Sequence, residues 1–263
     1  MKTAIISDIH ANPTALQTCI EDAERKGCTR FHCLGDIVGY GYDPNSCIAI
    51  CREKNIPCLM GNHEAGLLGT LPLNWFSPVA KANIYRQQEI VTEENKTWLG
   101  RLKYSSTAKT ADGFVAAFAH GTYEFPSRFD YINGYSDAAL EFTSLRAKNI
   151  KALFVGHTHI ANAYFCEEDF QISETFLDVE DECPLNLDAS SCAIVNVGSC
   201  GYPRNQPYSI YCIYDDEKKT ATHRVLPFDF EDYRLKMTAA GIDIPLWLES
   251  RERQAEDRPV QYK

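Results

Sequence analysis

Five short apolar runs in this chain each stop at an Asp, Asn or His, and that repeated ending constrains the fold more than any other feature. Thr3-Ala4-Ile5-Ile6-Ser7 ends in Asp8-Ile9-His10, and Phe31-His32-Cys33-Leu34 ends in Gly35-Asp36. Ile56-Pro57-Cys58-Leu59-Met60 runs into Gly61-Asn62-His63-Glu64, and Phe114-Val115-Ala116-Ala117-Phe118-Ala119 into His120-Gly121. Ala152-Leu153-Phe154-Val155 gives way to Gly156-His157-Thr158-His159. An apolar run followed at once by turn residues suits a strand buried in an α/β sheet. Open α/β sheets present ligands at the carboxyl ends of such strands. The endings read as one polar site with Asp36 at its centre.

The segments between the runs carry helical signals. Asn12 suits a cap, Pro13 a first turn, and Leu16, Cys19, Ile20 and Ala23 recur at helical spacing up to Gly27. A second helix is expected over 44–53, and residues 1–64 read as β-α-β-α-β with parallel pairing. A helical insertion is expected over 65–110, either overhanging the site or simply covering the core. Strands dominate from about 112 to 226, including 193–198, 209–214 and 220–226, with a helix over 137–149. Asp215 to Lys219 reads as a hairpin loop and the acidic stretch 178–188 as a solvated loop. The expected division is one domain over 1–228 with a charged helical tail over 229–263.

Charge and cysteine content narrow the function classes. A net charge of −10 argues against non-specific binding to nucleic acid or an anionic membrane, both of which need a basic surface. The 11 cysteines show no CxxC pair and no framework spacing, and several sit inside apolar strands. Met1-Lys2 leads straight into a strand with no signal peptide, and no apolar run approaches the roughly 20 residues that span a membrane. The expected compartment is a reduced cytoplasm.

The strand ends hold a mixed nitrogen and oxygen donor set. Of 7 histidines, His10, His63, His120, His157 and His159 fall at these ends, together with Asp8, Asp36 and Asn62. Imidazole with carboxylate suits manganese, iron, zinc, nickel or cobalt. The donors are too many for one ion, and two ions sharing a carboxylate would sit about 3.5–4 Å apart, as in two-metal phosphoryl chemistry. His32 and His223 read as ordinary strand residues.

In order and spacing these blocks resemble the calcineurin-like metallophosphoesterase superfamily over about residues 3–226. The run Asn196-Val197-Gly198-Ser199-Cys200-Gly201-Tyr202-Pro203-Arg204 is similar to one in its small bacterial and archaeal phosphodiesterase branch. The resemblance implies an α/β fold of four layers, two mixed β-sheets face to face with helices outside. It implies that Asp8, His10 and His159 hold one divalent ion, that Asn62, His120 and His157 hold a second, and that Asp36 bridges them. Manganese is the first choice, with iron, zinc or nickel as alternatives. His63 would be a proton donor or charge stabiliser near the leaving oxygen. Asn62, Tyr40 and Arg204 are candidate substrate contacts; Arg204 could equally pair with an acidic neighbour, and Tyr40 and Tyr42 could stack on a ring or be plain loop tyrosines.

The implied function is hydrolysis of phosphodiester bonds through a metal-bridging hydroxide. Two dications, about +4, against two carboxylates, about −2, would leave the site near +2 and favour an anionic ester. The alternatives are a phosphomonoesterase, a protein Ser/Thr phosphatase, a dinucleoside-polyphosphate hydrolase, or a catalytically silent scaffold of the same fold. The expected partner is a small or nucleotide-like phosphoester. One departure weighs against the protein phosphatase: where that branch carries Asp and then Arg after Gly-Asp, this chain has Gly39 and Tyr40. His63 then lacks a carboxylate partner, and a phosphate-gripping arginine is missing from that block.

Overall fold

The computed structural model describes residues 1–177, 182–204 and 207–257. In chain order its first half holds β1 (Lys2–Ile6), α1 (Pro13–Arg25), β2 (Arg30–Cys33), α2 (Pro44–Glu53), α3 (Asn62–Leu67), α4 (Pro78–Ile90), α5 (Glu93–Leu99), β3 (Ser105–Lys109) and β4 (Val115–Ala119). The second half holds α6 (Tyr135–Ala147), β5 (Ala152–Val155), β6 (Asn162–Cys166), β7 (Ile172–Phe176), β8 (Leu185–Asn186), β9 (Cys192–Asn196), β10 (Tyr208–Asp215), β11 (Thr220–Pro227), α7 (Phe230–Ala239) and α8 (Trp247–Asp257).

The strands form two mixed sheets. One has the order β2-β1-β10-β11-β8 and the other β3-β4-β5-β9-β6-β7. β1 runs parallel to β2 and antiparallel to β10, with Ile5 opposite Cys212. In the second sheet β5 is parallel to both β4 and β9, with Phe154 opposite Phe118 and Val195. Alternation along the strands builds three cores. Ile5, Cys212 and Tyr214 meet Phe118, Phe154 and Val195 between the sheets. Ala4, Ile6, Tyr211 and Ile213 turn the other way, onto Leu16 and Ile20 of α1 and Cys47 and Ile48 of α2. Leu153, Val155 and Ile194 pack on Phe142 and Leu145 of α6. Burial on both faces explains why these runs read as continuously apolar. The result is the expected α/β/β/α sandwich.

The helices start where their caps sit. The Asn12 side chain accepts from the Ala15 N–H at 3.1 Å and the Asp43 side chain from the Ser46 N–H at 3.0 Å, each followed by a proline in the first turn. α1 stops before Gly27, whose φ of +81° suits glycine.

Several expectations need correction. Residues 56–60 form only isolated bridges, Cys33 with Cys58 and Leu59 with Lys103, because Pro57 lacks an N–H and the segment turns at once into α3. The insertion is not helical to 110: Ser105–Lys109 is a polar edge strand whose last three residues are exposed, so no apolar alternation marked it. Within 178–188, residues 178–181 lie outside those described, and Leu185–Asn186 pairs with Ala221 and Thr220 rather than looping freely. The tail is more than a charged appendage, although 258–263 lie outside the described residues. Phe230, Tyr233, Met237 and Leu248 are buried with Phe228, and Tyr42 and Trp247 pack against them.

One ionic cluster ties α1 to the first sheet. Asp22, 3% exposed, accepts from Arg224 Nε at 3.0 Å, Arg224 Nη2 at 3.3 Å and the Tyr211 hydroxyl at 2.8 Å. Glu182 also pairs with this guanidinium, from an exposed position. Removing one partner of a buried pair typically costs about 3–5 kcal/mol, because the other charge is left buried. With Glu182 still in place the lower end applies. Asp22→Ala is expected to lower the thermal midpoint by roughly 6–12 °C; a shift under about 2 °C in a calorimetric scan would show that the cluster contributes little.

Candidate metal centre

The parallel strands of both sheets point their carboxyl ends at one seam. β1 delivers Asp8 and His10, β2 delivers Asp36, β4 delivers His120, and β5 delivers His157 and His159. Backbone bonds lock neighbouring endings together: Asp8 N–H to Gly35 O at 3.1 Å, His10 N–H to Asp36 O at 2.9 Å, and Gly156 N–H to His120 O at 3.0 Å. The chain turns abruptly as it leaves each strand. Asp8, His10, Asp36, His157 and His159 all have φ between +48° and +69°. Such left-handed backbone in residues other than glycine costs on the order of 1–3 kcal/mol each and concentrates at functional sites.

The donor atoms fall into three groups, Asp8-His10-His159, His10-Asp36-His63 and Asp36-His120-His157, linked through His10 and Asp36, with all donor atoms of a group within 4.8 Å of one another. Asp36 Oδ2 lies 3.7 Å from His10 Nε2 and 3.2 Å from His120 Nε2. Asn62 Oδ1 is 3.2 Å from the same His120 Nε2, and His157 Nδ1 is 3.1 Å from it. All seven residues singled out from the strand ends therefore meet at one place.

The donor chemistry fits cations. His10 Nδ1 is 3.0 Å from the Val38 carbonyl and His159 Nδ1 is 2.7 Å from the Tyr202 carbonyl. A carbonyl only accepts, so each Nδ1 carries a proton. Burial, then the neighbouring His63, pushes His10 well below the usual histidine range, so its ring is neutral and Nε2 bare. Yet His10 Nε2 and His159 Nε2 stand 3.1 Å apart, two ring nitrogens converging on one point. Asp8 Oδ1 is buried beside them with no hydrogen-bond donor. Holding the far nitrogen of a ligating histidine by a carbonyl is the usual way its tautomer and aim are set. Burial works against the charge of Asp8 and of Asp36, but the imidazoles of His159 and His120 beside them keep both carboxyls below their ordinary range. Burial alone would depress His120 too, yet Asp36, Asp8 and Glu64 raise it to about 9. Excess negative charge and unprotonated lone pairs share one small volume, which is what a divalent ion neutralises.

Glu64 had no assigned role. Its side chain is fully buried and accepts from the N–H groups of Asp36 at 2.9 Å, Gly61 at 2.8 Å and Val38 at 3.0 Å. It fixes the loop that aims Asp36. Gln87 was also unmarked: its Oε1 accepts from Gly39 N–H at 2.6 Å and its Nε2 donates to Gly41 O at 3.2 Å. Glu64 directly follows the Gly61-Asn62-His63 ending, which is a signal for it, whereas nothing in the sequence around Gln87 distinguishes it.

His63 lies beside the donors, its ring centroid 4.7 Å from that of His10. Its Nδ1 is buried without a hydrogen-bond partner, and burial pushes its pKa down to about 4, so the free protein holds it neutral at neutral pH. The reason is Gly39, at φ +90°: a β-carbon there would stand 2.0 Å from His63 Nδ1. Glycine at position 39 offers this imidazole no partner, and a side chain there would require the ring to shift.

The donors floor a cavity of about 560 Å³ that Tyr40, Tyr131, Tyr202 and Arg204 also line. Tyr40 does not offer a free face: it stacks on Tyr202 with centroids 4.2 Å apart. Tyr42 is not at the cavity; its hydroxyl bonds Asn12 and Thr14 while its ring packs under the tail. Arg204 Nη2 donates to the Tyr40 hydroxyl at 3.1 Å and has no carboxylate partner among the described residues. The insertion does overhang the site, through Trp75, Phe76 and Val79.

Two glycine substitutions separate backbone strain from steric conflict. Gly27 has φ +81° with nothing within 4 Å of an added β-carbon, whereas Gly39 meets His63. Gly27→Ala is expected to cost only the left-handed penalty, about 1–2 kcal/mol. Gly39→Ala is expected to cost at least about 1 kcal/mol more in denaturant titration, since the ring must move as well. Equal losses would mean that His63 repacks freely.

Comparison with known proteins agrees with this geometry. Residues 1–219 match the calcineurin-like phosphoesterase superfamily domain. An uncharacterized protein of Methanocaldococcus jannaschii is 32% identical over 216 residues, covering 81% of this chain and 82% of its own length. A metallophosphoesterase from Sphaerobacter thermophilus superposes with a TM-score of 0.77 at 30% identity, covering 95% of this chain and 97% of that one. A hypothetical protein of Pyrococcus horikoshii OT3 shares the fold at a TM-score of 0.70 and 16% identity, with coverages of 95% and 96%. Among the described residues no helix is long and apolar enough to cross a membrane. The chain belongs to the calcineurin-like phosphoesterase superfamily and is a metal-dependent phosphoric ester hydrolase.

Proposed function

We propose that this chain hydrolyses phosphodiesters at a dinuclear centre. Asp8, His10 and His159 would hold one divalent ion and Asn62, His120 and His157 the other, with Asp36 shared between them. Manganese is the first candidate for both. The observation that carries this reading is the 3.1 Å approach of His10 Nε2 to His159 Nε2 while each Nδ1 is tied to a carbonyl. When bound, the ions would neutralise the ester's charge and lower the pKa of water at the site.

The chain's own groups would do the rest. Glu64 holds the Asp36 loop in place through three N–H bonds. Arg204, steadied by Tyr40, and the Asn62 amide would contact the phosphoryl oxygens. His63, next to Asn62, stands where it could meet the departing oxygen and donate a proton once an anion raises its pKa. A diester is favoured over a monoester because, among the described residues, Arg204 is the only Lys or Arg lining the cavity, matching a monoanion, and the cavity has room for a second ester group. Gly39 and Tyr40 weigh against a protein Ser/Thr phosphatase. A phosphomonoesterase, a dinucleoside-polyphosphate hydrolase and a silent scaffold remain the competing readings. The substrate would be a small phosphoester and the compartment a reducing cytoplasm, in keeping with 11 free cysteines.

Metal analysis of purified protein is expected to return about two divalent ions per chain. Manganese-loaded enzyme should turn over bis-p-nitrophenyl phosphate well above p-nitrophenyl phosphate. Asp36→Asn and His157→Ala should each cut turnover by roughly 100-fold or more, and chelation should remove activity that manganese restores. Faster monoester turnover would favour a phosphomonoesterase; fewer than one ion with no activity on either ester would leave the scaffold.

The Glu64 bonds give a separate check. Glu64→Gln puts an NH2 group against backbone donors, so one N–H loses its acceptor at a cost of about 1–3 kcal/mol. Metal affinity is expected to fall about 10–100-fold, the usual effect of losing a group that orients a ligand. Unchanged affinity by calorimetric titration would make Glu64 purely structural.

A further inference from the structure

Above its polar floor the cavity is walled by apolar side chains from three separated segments. Trp75 and Val79 come from the insertion, Tyr131 from the loop after β4, and Leu246 and Trp247 from the tail where α8 begins. Trp75 is 77% exposed and Leu246 100% exposed. Single exposed apolar residues are ordinary on any surface. Apolar side chains that converge on one cavity contiguous with a charged site are not, and mark a ligand surface.

The rings in this wall present flat surfaces. Tyr131 lies on His157 with centroids 3.9 Å apart and planes 13° apart, and it remains 45% exposed, so part of its ring is open. Tyr40, by contrast, is closed off by Tyr202, and Trp247 meets Tyr202 edge-on at 4.9 Å. The cavity's about 560 Å³ is far more than a phosphate group fills and lies within the range of organic ligand sites. Its charge is segregated. The Arg204 guanidinium sits over Tyr40, 5.7 Å from the ring centroid, next to the donor floor, while the insertion and tail side is apolar. The Arg204 backbone is itself pinned from the tail, because Arg251 Nε donates to its carbonyl at 2.5 Å. The same tail segment therefore both supports the anion-facing arginine and supplies part of the apolar wall.

The geometry points to a substrate whose phosphoester carries a planar aromatic group, seated against Trp75, Tyr131 and Leu246 while the phosphoryl group meets the floor and Arg204. This rests on the phosphoester reading above and names the organic half of the substrate. The occupant is part of the small molecule rather than a protein segment, because the apolar surface is continuous with the donor floor.

Phenylphosphonate and methylphosphonate isolate the effect. Both present the same anionic head, neither is hydrolysed at carbon, and only one carries a ring. Their binding to the manganese-loaded full chain can be read by calorimetry and by competition against bis-p-nitrophenyl phosphate. Phenylphosphonate is expected to bind at least about tenfold tighter, the scale of burying one ring face. Trp75→Ala and Leu246→Ala, both at exposed positions with little bearing on folding, should each bring the ratio below about threefold. Equal binding of the two phosphonates, with diester turnover intact, would overturn this inference and leave the phosphoesterase standing. A wild-type preference that neither variant reduces would also overturn it, by placing the ring elsewhere. A change of oligomeric state in the variants with the ratio preserved would reassign Trp75 and Leu246 to self-association. Failure of both phosphonates to bind, with no turnover, would remove the phosphoester reading and this one together.

Discussion

The seam between the two sheets depends on carboxylates that serve two masters. Asp8 Oδ2 accepts the backbone N–H of His157 at 3.0 Å, joining the ending of β1 to that of β5 across the sandwich. Its Oδ1 is left to the site. Asp36 divides in the same way: Oδ1 accepts the His63 N–H at 2.9 Å and Oδ2 faces His10 and His120. Each carboxylate thus anchors a loop with one oxygen and offers the other to a cation. A buried charge is tolerated only when hydrogen bonds and opposite charge surround it, so the same two carboxylates tie the loops together and shape the candidate centre.

The backbone around the seam is held in conformations that it would not choose alone. Five candidate ligands are left-handed, and the strain is opposed by local bonds that would otherwise be unmade. Glu64 illustrates the device, since one buried side chain satisfies three N–H groups from two loops. Rigidity follows, and a rigid donor set is what lets histidines keep their lone pairs aimed at a point before any ion arrives.

The strand endings and the segments folded over them divide the labour. Strand endings supply charge and donors, while the 75–79 segment and the tail supply apolar wall and support for Arg204. The family match ends at residue 219, so the Leu246 and Trp247 contribution lies outside it. The donor set and the apolar wall thus come from different parts of the chain, and a fold can keep one while the other varies.

From the sequence alone the runs that become β1, β4 and β5 and their polar endings were readable, because each is apolar along its length and stops at an Asp or His, while the four layers and the set of seven candidate ligands followed from the resemblance of the blocks to the superfamily. Period and ending are local properties, readable without knowing what packs where. The departures at Gly39 and Tyr40 were legible too, but only the tertiary structure shows that the His63 ring fills the space a β-carbon at position 39 would take. Other features were decided by tertiary structure. Ser105–Lys109 is a strand because an edge was open to it, not because of its own pattern. Gln87 reaches the Gly39–Gly41 loop from a helix 46 residues away in sequence from Gly41. Tyr131, Trp75 and Leu246 belong to one cavity only because three distant segments fold over the same seam. Such roles rest on contacts between residues far apart in the chain, and no local periodicity records them.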